Sequence, residues 1–252
     1  MSENISESGS VDDAAFFDNS MEWTKWHWLA AFAFPLTVAP LWAYFAPADP
    51  SAARSFFFTM GGCTLVAALV VASYTDLRWR LIPNWVAYPA ILFGLGFNLV
   101  DYLTGAQYQS FLGGVGILNS FVGFMILFTG LLMVVVMSGG GAGDVKLVGA
   151  IGAFMGFIKG AESLCLAFVL CAVVVIFLSL LRMGPFRVVG AGLRKVGNYM
   201  FHDWVKEPDE DQDTLLKAKI PQGPFFALGT ILVMVRDTVV ENPEPFQFLS
   251  FN

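Results

Sequence analysis

The chain alternates between long apolar runs and short polar connections, and the runs set the fold class. A helix needs about 20 apolar residues to cross a bilayer, because lipid leaves a free backbone amide or carbonyl unsatisfied. Seven runs are candidates, approximately Trp28–Ala46, Phe56–Thr75, Trp85–Leu103, Ile117–Met137, Val145–Phe157, Ser163–Leu181 and Phe225–Val240. The fifth and seventh are the weakest: both are short, and the seventh carries Arg236 and Asp237 near its end. Each is expected to be partly extramembrane or tilted within the bundle. Between the sixth and seventh runs, Val189, Leu193, Val196, Met200 and Trp204 recur at three- and four-residue intervals while Arg187, Arg194, Lys195 and Lys206 fall largely elsewhere. That spacing predicts an interfacial amphipathic helix in the connection 183–220, followed by an acidic, solvated stretch. The expectation is an all-α, polytopic transmembrane bundle of about seven spans over 28–240. A tail at 1–27 precedes it and another at 241–252 follows, with no internal repeat and no second domain.

Composition agrees with the pattern. The 252 residues are 56% hydrophobic and 13% charged, with mean hydropathy +0.66, too apolar for a soluble domain of this length. The net charge of -6 says little, because the charges are segregated. Glu3, Glu7, Asp12, Asp13, Asp18 and Glu22 crowd the first residues without the basic region of a secretory signal. This tail is expected to be disordered, solvated and retained, although Ala46-Pro47-Ala48 has cleavage-like spacing. Basic residues near helix ends stay cytoplasmic. With the amino terminus inside, Lys25, Arg78, Arg80, Lys146 and the seven basic residues of the long connection are cytoplasmic, against Arg54, Lys159 and Arg236 outside. Cys63, Cys165 and Cys171 lie in apolar runs without a CxxC pair, and His27 and His202 are the only histidines. Neither a metal site, a cofactor nor a nucleic-acid partner is expected.

Two connections hold the candidate chemistry. The second run ends in Asp76-Leu77-Arg78-Trp79-Arg80-Leu81-Ile82-Pro83-Asn84, and Pro83 suits the first turn of the next helix, which predicts a tight cytoplasmic hairpin. Asp76 then sits at a helix carboxyl end, where exposed carbonyls disfavour a negative charge. The fourth run ends in Ser138-Gly139-Gly140-Gly141-Ala142-Gly143-Asp144-Val145-Lys146. Its glycines allow close backbone approach, and Asp144 opens a helix at the end that favours an anion. Two carboxyls biased in opposite directions at one bundle rim have the electrostatics of an aspartic dyad sharing one proton. On this reading Asp144 is the general base and Asp76 the acid at the start of the cycle. Taken singly, Asp144 also reads as an N-cap, Asp76 as a water-facing loop residue, Arg78 and Arg80 as topology anchors and Lys146 as a snorkelling side chain.

In combination, Asp76-Leu77-Arg78 with Ile82-Pro83-Asn84, then Gly141-Ala142-Gly143-Asp144-Val145-Lys146, resembles the D-x-R-x-x-x-I-P-N and G-x-G-D-x-K patterns of the type IV prepilin peptidase family of GxGD membrane proteases. Ile220 to Gly229 is similar to that family's Pro/Gly-containing start of the final helix. The resemblance implies a six-helix protease core, here with an extra first span, in the bacterial cytoplasmic membrane with its active site on the cytoplasmic side. Asp76 and Asp144 would be the catalytic pair. Gly141 and Gly143 would let the loop place Asp144, and Arg78, Pro83, Asn84 and Lys146 would support the site. The substrate implied is a prepilin, a basic leader followed by a hydrophobic helix, cut after a glycine at the membrane boundary. Longer members carry a domain with paired CxxC motifs and also methylate the new pilin amino terminus. That domain has no counterpart here, so the chain resembles the short form of Flp/Tad-type pili and methylation is in doubt.

Two rivals remain. A proton- or cation-coupled transporter would place its acids near the bilayer midplane. A non-catalytic pilus assembly scaffold would survive loss of both carboxylates.

Overall fold

A computed structural model describes residues 25–45, 56–138, 141–183 and 221–241. The amphipathic helix expected in 183–220 lies almost wholly outside these residues, as do the acidic tail up to residue 24 and the carboxyl-terminal tail. The described residues are helical throughout: α1 (Lys25–Phe45), α2 (Met60–Trp79), α3 (Asn84–Leu103), the single turn α4 (Gln109–Leu112), α5 (Ile117–Ser138), α6 (Ala142–Met183) and α7 (Gly223–Glu241). A 3₁₀ turn, Phe56–Phe58, leads into α2, whose N-cap Thr59 accepts from the Gly62 amide. The second expected span therefore begins later and ends one turn further on than its apolar run. The first begins at Lys25, inside the segment read as tail.

Four helices are long and apolar enough to cross a membrane by length and composition: α2, α3, α5 and α6, the last counted as one stretch to Leu178. The expected count of seven is not reached on that criterion. The fifth and sixth expected spans appear as the two arms of α6, which breaks at Gly156 (φ 75°, ψ −176°). The chain reverses there. The Ser163 hydroxyl lies 3.6 Å from the Met155 sulfur, and a Cβ built on Gly160 would fall 3.4 Å from the Gly152 Cα. Residues eight apart in a straight helix would be roughly 12 Å apart.

The first arm is the axis of the bundle. Every residue from 145 to 156 is buried, which explains a segment apolar on all sides. At 1.5 Å per residue, 142–155 reach roughly 21 Å, short of the ~30 Å hydrocarbon layer. Irregular backbone inside that layer is tolerated only where protein satisfies it. Here Ser120 Oγ donates to the Ala153 carbonyl (2.5 Å), Asn98 Nδ2 reaches the same oxygen (3.4 Å), and the Phe157 amide donates to Asn119 Oδ1 (3.2 Å). Glycines let the neighbours close in: a Cβ on Gly123 of α5 would lie 2.6 Å from the Gly152 oxygen, and one on Gly94 of α3 would lie 2.9 Å from the Ala153 Cβ.

The outer surface is apolar, as lipid contact requires. Leu118, Met133, Val136, Met137, Ile158 and Leu181 are all more than two-thirds exposed. Against the second arm of α6, α7 runs antiparallel, with Phe168 on Phe226 and Gly229 on Ser163 and Ala167. The start of α1 lies beside the start of α3, His27 against Trp85. An apolar cavity of about 460 Å³ separates α1 from the α2–α3 pair.

Candidate active site

One end of the bundle gathers four helix termini: the close of α2 and the openings of α3, α6 and α7. The hairpin between α2 and α3 is as tight as expected. Arg80 adopts the left-handed conformation (φ 55°, ψ 34°) and its amide donates to the Asp76 carbonyl at 2.8 Å, closing α2. Pro83 (φ −72°, ψ 143°) is the N-cap position of α3 and is buried.

Asp76 is buried, 6% exposed, in the last turn of α2. Its Oδ2 accepts the Gly223 backbone amide at 2.7 Å, so the opening of α7 sits on this carboxyl. Amides at a helix start favour an anion. The carbonyl end of α2 and an amide at the opening of α7 therefore both lie at Asp76. Asp144 is half-buried in the first turn of α6, at the amide end of that helix.

The two motifs are in direct contact. Lys146 Nζ donates to Asn84 Oδ1 at 2.7 Å, with the ammonium 4.9 Å from the centre of the Tyr88 ring. Lys146 is only 7% exposed, so it does not snorkel to a distant surface. Gly143 packs on the hairpin: a Cβ there would lie 2.9 Å from the Ile82 Cβ. A side chain at 143 would push the hairpin away from the loop that carries Asp144. Gly141 borders Asp144 with room for a Cβ at 3.5 Å from its Oδ2, so steric need does not explain it.

Of the residues expected at this site, Asp76, Pro83, Asn84, Gly143, Asp144 and Lys146 come together at one end of the bundle. Arg78 is exposed and stands outside the hydrogen bonds that join the motifs. Gly223, Ser73, Ile82 and Tyr88 belong to the site without having been singled out for it. Gly-Pro at 223–224 marked a helix start, but nothing in sequence spacing pairs it with Asp76, 147 positions earlier.

What the arrangement can do is acid–base chemistry at one end of the bundle. Two carboxyls at helix ends, with a buried ammonium fixing their loops, can activate water and polarise a carbonyl. Neither a curated protein nor a solved structure matches the chain. The model of the type IV leader peptidase family matches residues 63–176, which contain both aspartates and both motifs. Over that segment, the chain is similar to the type IV leader peptidase family.

Proposed function

We propose that the protein is an aspartic endopeptidase that removes the leader of Flp-like type IV prepilins, cutting after a glycine at the cytoplasmic boundary of the membrane. The match to the leader peptidase family over residues 63–176 supports a leader peptidase, and the chain's apolar helices fit a multi-pass membrane protein. The observation that carries the finer reading is the junction of the motifs, Lys146 on Asn84 and Gly143 on Ile82, which brings the Asp76 and Asp144 helix ends to one rim. Arg78, Arg80 and Lys146 lie at that end, and Lys159 and Arg236 at the other. The positive-inside tendency therefore turns the motif end to the cytoplasm.

In the cycle, the ionised acid takes a proton from water as its oxygen attacks the scissile carbonyl, and the protonated acid gives its proton to the carbonyl oxygen, so that a gem-diol forms and the two acids exchange protonation states. Collapse of the resulting diol breaks the C–N bond, with a proton passing to the departing amine. No covalent acyl-enzyme forms. Asp144 serves as the base at the outset and Asp76 as the acid, the pair titrating as a coupled unit.

The test is co-expression with a prepilin carrying a basic leader, a junction glycine and an apolar helix, comparing wild type with Asp76→Asn and Asp144→Asn. Each variant should accumulate in the membrane and leave the leader attached. Normal leader removal by either one ends the dyad reading. A transporter is disfavoured by the same placement, since both acids lie at helix ends and away from mid-span.

A further inference from the structure

We infer that Gly223 is a positioning residue for Asp76, holding one carboxyl oxygen as a fixed acceptor so that the proton of the reaction moves through the other. The inference rests on the dyad reading and deepens it.

Three observations converge. The Gly223 amide donates to Asp76 Oδ2 at 2.7 Å, joining the first residue of α7 to the last turn of α2. Ser73, one turn before Asp76 on α2, sends its hydroxyl toward the Gly223 carbonyl at 3.2 Å while also bonding the Leu69 carbonyl at 2.7 Å. Gly223 is thus held through both its backbone polar groups by side chains of a single helix. A Cβ on Gly223 would lie 3.0 Å from Asp76 Oδ2 and 3.1 Å from its Cβ, so only glycine brings the amide this close without moving the carboxyl.

The chemical consequence follows from the lone pairs. An oxygen that accepts a backbone amide is a poor place for the acid's proton, because N–H and O–H would compete for the same region. Asp76 then binds and releases its proton at Oδ1. A carboxyl free to rotate would present either oxygen and spend part of its time misaligned, which lowers the fraction of productive complexes. The opening of α7 removes that freedom.

The experiment compares wild type, Gly223→Pro, Gly223→Ala and Asp76→Asn as full-length protein in detergent, with the same prepilin as substrate. Proline suits the first position of a helix and removes the amide, but its ring also crowds Asp76, so Gly223→Ala, which crowds the carboxyl and keeps the amide, is the steric control. Gly223→Pro should lose about tenfold or more in kcat relative to Gly223→Ala, with KM for both within about twofold of wild type. Gly223→Ala, which keeps the amide but crowds the carboxyl, should fall between. A kcat for Gly223→Pro within about twofold of Gly223→Ala, or a loss carried in KM, overturns the positioning role while Asp76→Asn stays inactive. If Gly223→Pro does not accumulate, Gly223→Ala decides: lower kcat at constant KM supports the role, and unchanged kcat overturns it. Activity in Asp76→Asn would remove the dyad itself, and the positioning role with it.

Discussion

The two ends of this bundle use polar residues in opposite ways. At the far end, side-chain polarity is spent on the backbone: Asn98, Asn119 and Ser120 bond the amide and carbonyl groups freed by the reversal at Gly156, and Asn98 also accepts the Val115 amide before α5. Charges there answer one another, Lys159 with Asp237 and Arg236 with both Glu162 and Asp237. At the motif end the direction is reversed. The backbone serves the side chains, with the Gly223 amide on Asp76 and the α6 opening behind Asp144, and the buried ammonium of Lys146 meets the neutral oxygen of Asn84. Polarity at the far end closes a fold, whereas at the motif end it holds acids in set positions. Lesions at the motif end should therefore change chemistry more than stability, and lesions at the far end the converse.

The strongest test of that contrast is the pair of acids. Either Asp→Asn variant should lower leader cleavage by at least about a thousandfold, and the double variant should be no worse than the single ones, because the two act as one unit. Thermal unfolding should stay within ~1 kcal/mol of wild type. Two independent, multiplicative losses would show that the acids do not share a step.

Next in size is a purely structural lesion at the far end. Gly123→Val would force a side chain where a Cβ already meets the Gly152 oxygen and Gly156 carbon at 2.6 Å, and both neighbours are backbone that cannot swing aside. Overpacking of this kind costs about 3 kcal/mol. Unfolding in detergent should shift by that amount, while the protein that remains folded cleaves at the normal rate per molecule.

The contrast also marks what the sequence could disclose. Apolar runs place the helix ends to within about two turns, because bilayer crossing imposes length and composition. The Pro83 hairpin and the opening of α6 were legible from local stereochemistry, since proline and glycine act on their own neighbours. The reversal at Gly156 was legible only as a gap between two short runs, and the residues that satisfy it lie in α3 and α5. A buried Asn98 inside an apolar run looks like any other polar interruption until the carbonyl it serves is seen 55 positions away. The surroundings of Asp76 are only half legible for the same reason. Its own helix predicts a field of carbonyls, and the amide that offsets this comes from α7.

Asn98→Leu tests the far-end network at moderate cost. The substitution keeps the volume and removes the acceptor of the Val115 amide (2.7 Å) and a donor to Ala153, so buried backbone groups lose a partner. The expected loss is about 2 kcal/mol in thermal unfolding, with cleavage per folded molecule unchanged. A fall in cleavage larger than the fall in folded protein would mean that the first arm of α6 transmits strain from its break to Asp144.

The smallest effect is expected at Arg236, and it bears on whether the two ends are mechanically separate. Arg236 pairs with Glu162 and Asp237 at the surface, its side chain half exposed, so water and salt screen the attraction. Arg236→Gln should cost no more than about 1 kcal/mol, and less as salt rises. Yet α7 is the helix whose other end bonds Asp76, so loosening one terminus has a route to the site. That route should be blocked, because Phe226 on Phe168 and Gly229 on Ser163 and Ala167 grip α7 between its ends. Cleavage by Arg236→Gln should therefore match wild type at any salt concentration. A salt-dependent loss of kcat would instead make the ionic cluster part of what seats Gly223 on Asp76.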